Sequence, residues 1–322
     1  MAIISNCTAS ILKDAALALK EGHLVAFPTE TVYGLGADAT NEKAVARIYE
    51  VKGRPTDHPL IVHISSMDLL DKWASEIPEY AIKLARAFWP GPMTLVLKRT
   101  ALAKDFITGS QDTVAIRVPS HTLANQFLKE FESLGGLGIA APSANRFGKV
   151  SPTNSQAVEE ELSNFLSEND QILDGGQSQI GIESTIVDCT RHFPIELRSG
   201  SITIEMLENV LGMNPSWHDS ESNKVRVSGS LESHYSPNAE VILSSFAQPG
   251  DGFIALSNFP TPSGAIRLAS PKDIDEYGKI LYSALRFADY RRIKKVYIIP
   301  PSENGLGVAI NDRLFKACGK KS

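Results

Sequence analysis

Two cations and two imidazoles lie close together in the segment YEVKGRPTDHPLIVHI, residues 49–64. Lys52 and Arg54 occupy the turn in which a helix-like run ends, and His58 precedes a strand-like apolar run that contains His63. Permanent cations at such a position can bind an anion, and a histidine can donate a hydrogen bond in either charge state. This turn is therefore the first candidate for a ligand site.

Arginines also lie in or beside two other strand-like runs. Arg117 lies inside TVAIRV and Arg198 follows IEL. An arginine in an apolar strand is about as often at a sheet edge or in solvent as it is facing a ligand, because a buried guanidinium needs an anionic partner. Ligands of open α/β sheets bind at strand ends. If four cations gather there, they would favour a polyanion such as a nucleoside triphosphate. The four candidates are Lys52, Arg54, Arg117 and Arg198.

By itself, the single histidine within PLIVHI is weak evidence for a ligand site. Strand alternation places His63 on the same face as Ile61, and a lone histidine on a strand is more often a structural residue than a ligand-binding one.

Short hydroxyl and amide side chains follow another buried run. The segment APSANRFGKVSPT, residues 141–153, contains Ser143, Asn145 and Ser151, and Ser184 lies at the entrance of the run STIVDC. Hydroxyls and exposed backbone N–H groups suit a phosphate or a carboxylate. Composition alone, however, favours an ordinary turn-rich loop at 141–153.

The common nucleotide and hydrolase motifs do not explain these residues. Residues 136–141 match G-x-G-x-x-A, but the glycines precede the apolar run and do not open a helix, so we reject a dinucleotide site. GxxxxGK[ST], HExxH and GxSxG are absent.

Composition indicates an ordinary globular protein. The chain has 322 residues, 43% hydrophobic content and a net charge of −5, which gives no global basic field. The three cysteines are isolated, which argues against a zinc site and fits a reducing compartment. We expect a cytoplasmic protein without a signal peptide or membrane span.

Strand-like and helix-like runs alternate along the chain, which predicts an α/β fold with a mixed sheet. A helix ending at Gly212 is followed by a polar, serine- and proline-rich stretch. We therefore predict a first domain over 1–212, a linker over 213–239 and a smaller α/β domain over 240–322.

Seven segments together resemble one family. In chain order they are PTETVYGLGADA, KGRPTDHPLIVHI, WPGPMTLVL, TVAIRVP, APSANRFGKVSPT, GIESTIVDCT and LRSGSI. They are similar to the YrdC-like threonylcarbamoyl-AMP synthases over about residues 10–211. HYSPNAEV and GLGVAINDRLFKA are similar to the long form of that family, in which a linker joins the catalytic domain to a small Rossmann-like domain.

The resemblance implies a reaction and a twisted α/β catalytic domain around a deep, positively charged cavity. L-threonine, bicarbonate or CO2, and ATP would give threonylcarbamoyl-AMP and pyrophosphate. The product would pass to a separate transferase complex that forms N6-threonylcarbamoyladenosine in tRNA.

The resemblance also implies residue roles. The residues that would contact threonine are Thr31, His63, Arg117 and Ser184. Those that would line the ATP site are Lys52, Arg54, His58, Thr113, Ser143, Ser151 and Arg198, with Tyr235 of the linker folding over the nucleotide as part of a lid.

We expect catalysis by positioning and electrostatics, with Lys52 and Arg54 neutralising phosphate charge and Mg²⁺ carried by the nucleotide. No single general base stands out. The carboxylates that could bind the metal are Glu30, Asp57 and Glu183.

Two other functions remain open at this point. One is an RNA-binding module on the basic concave face, against which the net charge argues. The other is a carbamoyl or acyl transferase of the same fold acting on another amine. In the C-terminal domain, Arg291, Arg292, Lys294 and Lys295 are most simply a solvated helix end, with tRNA contact as the alternative. We also hypothesise that this domain and the linker gate the cavity.

Overall fold

A computed structural model describes residues 3–6, 8–213, 217, 225–229 and 235–319, with the backbone alone at 3–6. The helices are α1 (Ala9–Lys20), α2 (Glu42–Lys52), α3 (Leu70–Trp73), α4 (Glu79–Phe88), α5 (Asp105–Thr108), α6 (Thr122–Ser133), α7 (Ser155–Leu162), α8 (Ile204–Leu211), α9 (Ile274–Tyr290) and α10 (Leu306–Cys318).

The strands lie between and after these helices. They are β1 (Ile3–Asn6), β2 (Val25–Phe27), β3 (Gly34–Asp38), β4 (Ile61–His63), β5 (Ala74–Ser75), β6 (Met93–Arg99), β7 (Thr113–Arg117), β8 (Ile139–Ala140), β9 (Gln171–Asp174), β10 (Thr185–Asp188), β11 (Ile195–Arg198), β12 (Glu240–Leu243), β13 (Gly252–Ile254), β14 (Ile266–Ala269) and β15 (Lys295–Ile298).

Within the described residues these strands form two sheets. The larger has the order β1-β9-β2-β3-β8-β4-β7-β6-β10-β11, with β5 beside β6, and the smaller has the order β12-β15-β13-β14. In the larger sheet β4 and β7 are parallel while β6 and β7 are antiparallel, whereas all pairs of the smaller sheet are parallel. The predicted α/β class with a mixed sheet is confirmed. The predicted domain boundaries stay predictions, and part of the predicted linker lies outside the described residues.

The pairing of β4 with β7 places two candidate residues side by side. His63 is the register partner of Arg117, and both side chains are buried. Neighbouring residues of a parallel pair project on the same face of a sheet. Two residues 54 positions apart in sequence therefore share one wall of the fold.

Helix α2 ends where the candidate turn begins. Asn41 caps its start by accepting from the Ala44 amide, and Gly53 at its end has a φ of 60°. This left-handed conformation favours glycine, because a side chain there is strained. The chain consequently reverses between Lys52 and Arg54, and the two cations leave the turn in different directions.

Some observed elements have a weak signal in the sequence. Strands β3 and β9 were not predicted. Strand β3 has the sequence GLGAD, whose glycines disfavour a strand, and its backbone is held by β2 and β8 on both sides.

No helix of the described part of the chain combines the length and apolar character needed to cross a bilayer.

The packing of α2 against the sheet depends on one buried carboxylate. Asp170 is fully buried, and it accepts hydrogen bonds from the Leu24 amide at 2.8 Å and from both terminal nitrogens of Arg47 at 2.9 and 2.6 Å. It thus joins β2, α2 and the start of β9.

We expect Asp170→Ala to lower the free energy of unfolding by about 3 kcal/mol, because it leaves a guanidinium and a buried amide without their acceptor. Urea denaturation measures this change. Lys83→Ala is the control, since its pair with Glu79 is exposed at the surface and should contribute less than about 0.5 kcal/mol. Equal losses in the two variants would contradict the proposed role of Asp170.

Candidate active site

A cavity opens at the face shared by β4 and β7. Its wall is formed by the loop after β2, the loop after β8, the residues before β10, and residues 228 and 235. Of the predicted site residues, those that line it are Thr31, His63, Arg117, Ser143, Ser184, Arg198 and Tyr235. Glu183, one of the three carboxylates considered for a metal, also lines the cavity, and the remaining predicted residues lie outside its lining.

Arg117 is buried and already has an anionic partner. Its Nη2 lies 2.8 Å from Glu30 Oε1, its Nη1 donates to Thr31 Oγ1 at 2.9 Å, and its Nε donates to Gly91 O at 3.3 Å. Burial raises the pKa of the Glu30 carboxyl, but the charge of Arg117 and its hydrogen bond outweigh burial and lower it. The question left open by the sequence is therefore decided: Arg117 faces the cavity.

His63 is neutral at physiological pH. Burial first, and then the positive charge of Arg117, lower the pKa of its imidazole to about 3. Its ring contacts Phe27 edge to face, with the centroids 5.8 Å apart. Within the described residues its Nδ1 has no hydrogen-bond partner. A neutral imidazole in the cavity wall can hydrogen-bond a substrate without adding charge.

Arg198 and Ser184 form another part of the cavity lining. Arg198 donates from Nε to Ser184 O and from Nη2 to Ser184 Oγ, both at 3.0 Å, and from Nη1 to Ser228 O at 2.9 Å. Ser184 Oγ also lies 2.7 Å from Thr94 Oγ1. Because Ser228 comes from the predicted linker, one face of Arg198 is held by a segment that a ligand could displace.

Lys52 does not line the cavity. Its ammonium donates to Ser143 O at 2.6 Å and to Asn145 O, and burial lowers its pKa well below the usual range. Lys52 therefore ties the end of α2 to the loop after β8. The predicted contact of Lys52 with phosphate stays a prediction.

Arg54 and His58 also lie outside the lining. Arg54 donates to Pro59 O at 3.0 Å, and burial lowers its pKa to about 10. The His58 ring contacts the Phe147 ring edge to face, at 5.3 Å, and burial and Arg54 lower its pKa. Both residues stabilise the turn behind the cavity.

The last two predicted ATP-site residues, Thr113 and Ser151, also lie outside the lining. Thr113 lines a neighbouring recess, which shares Ile61 and Ser228 with the cavity. Ser151 is buried and donates to Glu183 Oε1 at 2.7 Å. Ser151 thus binds a carboxylate that lines the cavity.

Tyr235 closes the cavity from the linker side. It is 1% exposed, has a φ of 62°, and stacks on Tyr282 of α9 with the ring centroids 5.8 Å apart. The Arg313 guanidinium of α10 lies 5.4 Å from the Tyr235 ring centroid. Tyr282 and Arg313 were missed by sequence reasoning. A charged residue in the apolar register of α10 was the signal that could have found Arg313.

The three carboxylates considered for a metal are each paired with an arginine. Glu30 pairs with Arg117, Glu183 with Arg313, and the exposed Asp57 lies 3.5 Å from Arg226. No group of three metal-ligating side chains occurs among the described residues. These carboxylates do not fit a magnesium site built from protein ligands, because arginine already occupies their oxygens.

Comparisons with known proteins show the family of the chain. Residues 17–200 match the family model described as telomere recombination, Sua5_yciO_yrdC, and residues 202–319 match the model described as threonylcarbamoyl-AMP synthase, C-terminal domain. The chain belongs to the threonylcarbamoyl-AMP synthase family.

Relatives of the family match it along nearly its full length. The threonylcarbamoyl-AMP synthase of Pyrococcus abyssi is 39% identical, with 99% of this chain and 98% of the relative covered. That of Bacillus subtilis is 38% identical, with 96% and 93% covered. The crystal structure of P. abyssi Sua5 complexed with L-threonine is 37% identical, has a TM-score of 0.86, and covers 99% of this chain and 97% of that one.

Because His63 is buried in its neutral form, we expect the folded protein to lose stability in mild acid. Its pKa is about 3 in the folded protein against 6.5 when unfolded, so the unfolded chain binds more protons below pH 6.5 and stability falls as the pH falls. We expect a loss of about 1.4 kcal/mol at pH 5.5 from this residue alone. Urea denaturation at pH 7.5 and 5.5 measures it.

In His63→Asn this loss should disappear, whereas the variant of the exposed His192, His192→Asn, should keep it. The same pH dependence in wild type and His63→Asn would show that His63 is not the titrating group.

Proposed function

We propose that this chain is an L-threonylcarbamoyladenylate synthase, which makes threonylcarbamoyl-AMP and pyrophosphate from L-threonine, bicarbonate or CO2, and ATP. The observation that carries the proposal is the pair of buried arginines, Arg117 and Arg198, in the lining of one cavity. One can hold an amino-acid carboxylate and the other a phosphate. Membership of the family supports the reaction itself.

Threonine would bind on the Arg117 wall. A guanidinium can grip both oxygens of a carboxylate, and Thr31, His63 and Ser184 supply uncharged hydrogen-bonding groups in the same cavity. Glu30 neutralises Arg117 before substrate arrives. The threonine carboxylate therefore meets an oriented guanidinium that cannot turn away, because three of its nitrogens are held by Glu30, Thr31 and Gly91.

The triphosphate would bind on the Arg198 wall. Phosphate oxygens can take the place of the Ser228 carbonyl on Arg198 Nη1, and the hydroxyl of Ser143 lies in the same cavity. Tyr235 would remain over the nucleotide as part of the lid. Lys52 and Arg54 add positive charge from behind the loop, and Lys52 keeps that loop in place through two carbonyls.

The chemistry then requires two bond-forming steps. The neutral threonine amine attacks the carbon of CO2 or bicarbonate to give a carbamate; a proton is released to solvent in the case of CO2, and water leaves in the case of bicarbonate. A carbamate oxygen attacks the α-phosphorus, and pyrophosphate leaves. Two anions must approach each other, so fixed cations that stabilise the charge on the phosphates are the protein's main contribution.

Mg²⁺ remains part of the proposal only as an ion that enters with ATP. The carboxylates of this cavity do not fit a protein-held site, so no step above depends on one. The downstream partner we propose is the tRNA threonylcarbamoyl transferase complex, which would use the adenylate in the cytoplasm. Direct contact with tRNA through Arg291, Arg292, Lys294 and Lys295 stays a prediction; all four side chains are exposed.

If Arg117 binds the threonine carboxylate, its replacement by lysine should weaken threonine binding. Arg117→Lys keeps the charge opposite Glu30, so the fold should survive, but it loses the forked contact. We expect the KM for threonine to rise about a hundredfold with a smaller change for ATP. Pyrophosphate release at varied threonine concentration measures this.

Arg99→Lys is the matched control, because Arg99 ends the neighbouring strand and pairs with Asp105 away from the cavity. A threonine KM that is unchanged in Arg117→Lys would exclude Arg117 as the carboxylate site.

The specificity of the cavity predicts which amine reacts. Threonine should support pyrophosphate release that depends on bicarbonate, and mass spectrometry should find threonylcarbamoyl-AMP. Serine and valine, which lack the methyl or the hydroxyl group, should react more slowly by about tenfold or more. A faster reaction with another amine would favour the alternative transferase. Salt-sensitive tRNA binding without ATP turnover would favour an RNA-binding module.

A further inference from the structure

One arginine of helix α10, which contacts the smaller sheet, binds a carboxylate of the cavity lining. Arg313 is 1% exposed, and its Nε donates to Glu183 Oε2 at 2.9 Å. Its Nη2 donates to Ser199 O at 2.9 Å and its Nη1 to Asp312 Oδ2 at 2.6 Å. Glu183 and Ser199 belong to the larger sheet's region, so this side chain spans the contact between the two regions.

The Glu183 carboxylate accepts hydrogen bonds from both regions. Ser151 Oγ donates to Oε1 at 2.7 Å, Tyr282 OH to Oε2 at 3.0 Å, and Arg313 to Oε2. Burial raises the pKa of this carboxyl, but Arg313, then Arg198, and the hydrogen bond of Ser151 lower it to about 2. The carboxylate is therefore ionised and held in one orientation.

The position of Glu183 matters for the site because it precedes Ser184. Among the described residues that line the cavity, Glu183 has the only acidic side chain. Arg198 donates to both the carbonyl and the hydroxyl of Ser184. Any shift of Glu183 therefore reaches Arg198, the cation proposed to bind phosphate.

Arg313 contacts the Glu183 carboxylate directly, whereas Arg198 contacts the next residue, Ser184. Of the positive charges that lower the pKa of Glu183, that of Arg313 has the largest effect and that of Arg198 the next, and the charge of Arg313 also lowers the pKa of Arg198. If Arg313 were absent, Arg198 would be the nearest cation available to neutralise Glu183. A buried anion without a partner is costly, so the side chains would rearrange to bring Glu183 and Arg198 together.

We propose that Arg313 is a positioning residue for nucleotide binding: it binds Glu183 from the C-terminal region and thereby keeps that carboxylate from pairing with Arg198, whose charge then serves phosphate. Tyr282 assists by holding the same carboxylate through its hydroxyl. Arg313 thus completes the ATP site, although it follows Glu183 and Arg198 by more than a hundred positions in the sequence. This inference rests on the proposed function for the identity of the nucleotide.

A second arginine between the two regions provides a matched control. Arg286 of α9 donates to Glu161 Oε2 at 3.0 Å and to Val150 O, so it joins the same two regions. Neither Arg286 nor Glu161 lines the cavity. Arg286→Ala therefore removes an ion pair between the regions without freeing a carboxylate in the ATP site.

The test is isothermal titration calorimetry with ATP in magnesium buffer, on full-length variants. We expect Arg313→Ala to raise the Kd for ATP about tenfold or more and Arg286→Ala to raise it less than about twofold. Tyr282→Phe, which removes one hydroxyl, should give a smaller rise. In steady-state assays the KM for ATP should rise in Arg313→Ala while the KM for threonine stays nearly constant.

The double variant Glu183→Gln/Arg313→Ala separates positioning from simple structural loss. With no anion left to pair with Arg198, ATP affinity should recover to within about threefold of wild type. Equal rises in Arg313→Ala and Arg286→Ala, or no recovery in the double variant, would overturn the proposal.

Two further outcomes are informative. If Arg313→Ala does not fold, Tyr282→Phe and the double variant, which buries no unpaired charge, decide the question by the same titration. If wild type binds ATP but releases no pyrophosphate with threonine and bicarbonate, the proposed function fails while the titration still tests Arg313.

Discussion

A cavity walled by buried guanidinium groups needs a fixed acceptor for each charge, and this requirement organises the molecule. Arg117 has Glu30, and Arg313 has Glu183. Because an isolated buried ion is far less stable than a paired one, each carboxylate stays ionised and each arginine stays in place. The two ion pairs therefore fix Arg117 and Glu183 in the lining of the cavity.

The same requirement explains why Lys52 differs in role from the arginines. A lysine ammonium is a compact charge that backbone carbonyls can satisfy, whereas a guanidinium has donors on several sides. Lys52 uses two carbonyls of the loop after β8 and becomes part of the framework. Its contribution to an ATP site would be to hold Ser143 and to add charge from a short distance.

Helices α9 and α10 contact the smaller sheet, and their side chains complete the cavity of the larger sheet. Helix α9 supplies Tyr282 under Tyr235, and α10 supplies Arg313 against Glu183. Gly181 also has a φ of 84°, and a side chain there would meet the backbone of Gly278 and Lys279 at 2.5 Å. The close approach of this loop to α9 makes the two regions act on the cavity together.

The sequence alone determined the α/β class and the main elements, because apolar periodicity and capping residues act over short distances. It also singled out Thr31, His63, Arg117, Ser184 and Arg198, whose segments match a known family. Tertiary structure decided that Arg117 lines the cavity, that Lys52 and Arg54 bind backbone carbonyls outside its lining, and that Arg313 reaches Glu183. These outcomes depend on which acceptor lies opposite each cation. That pairing is set by strand register and by the contact of two sheets, which no local pattern encodes.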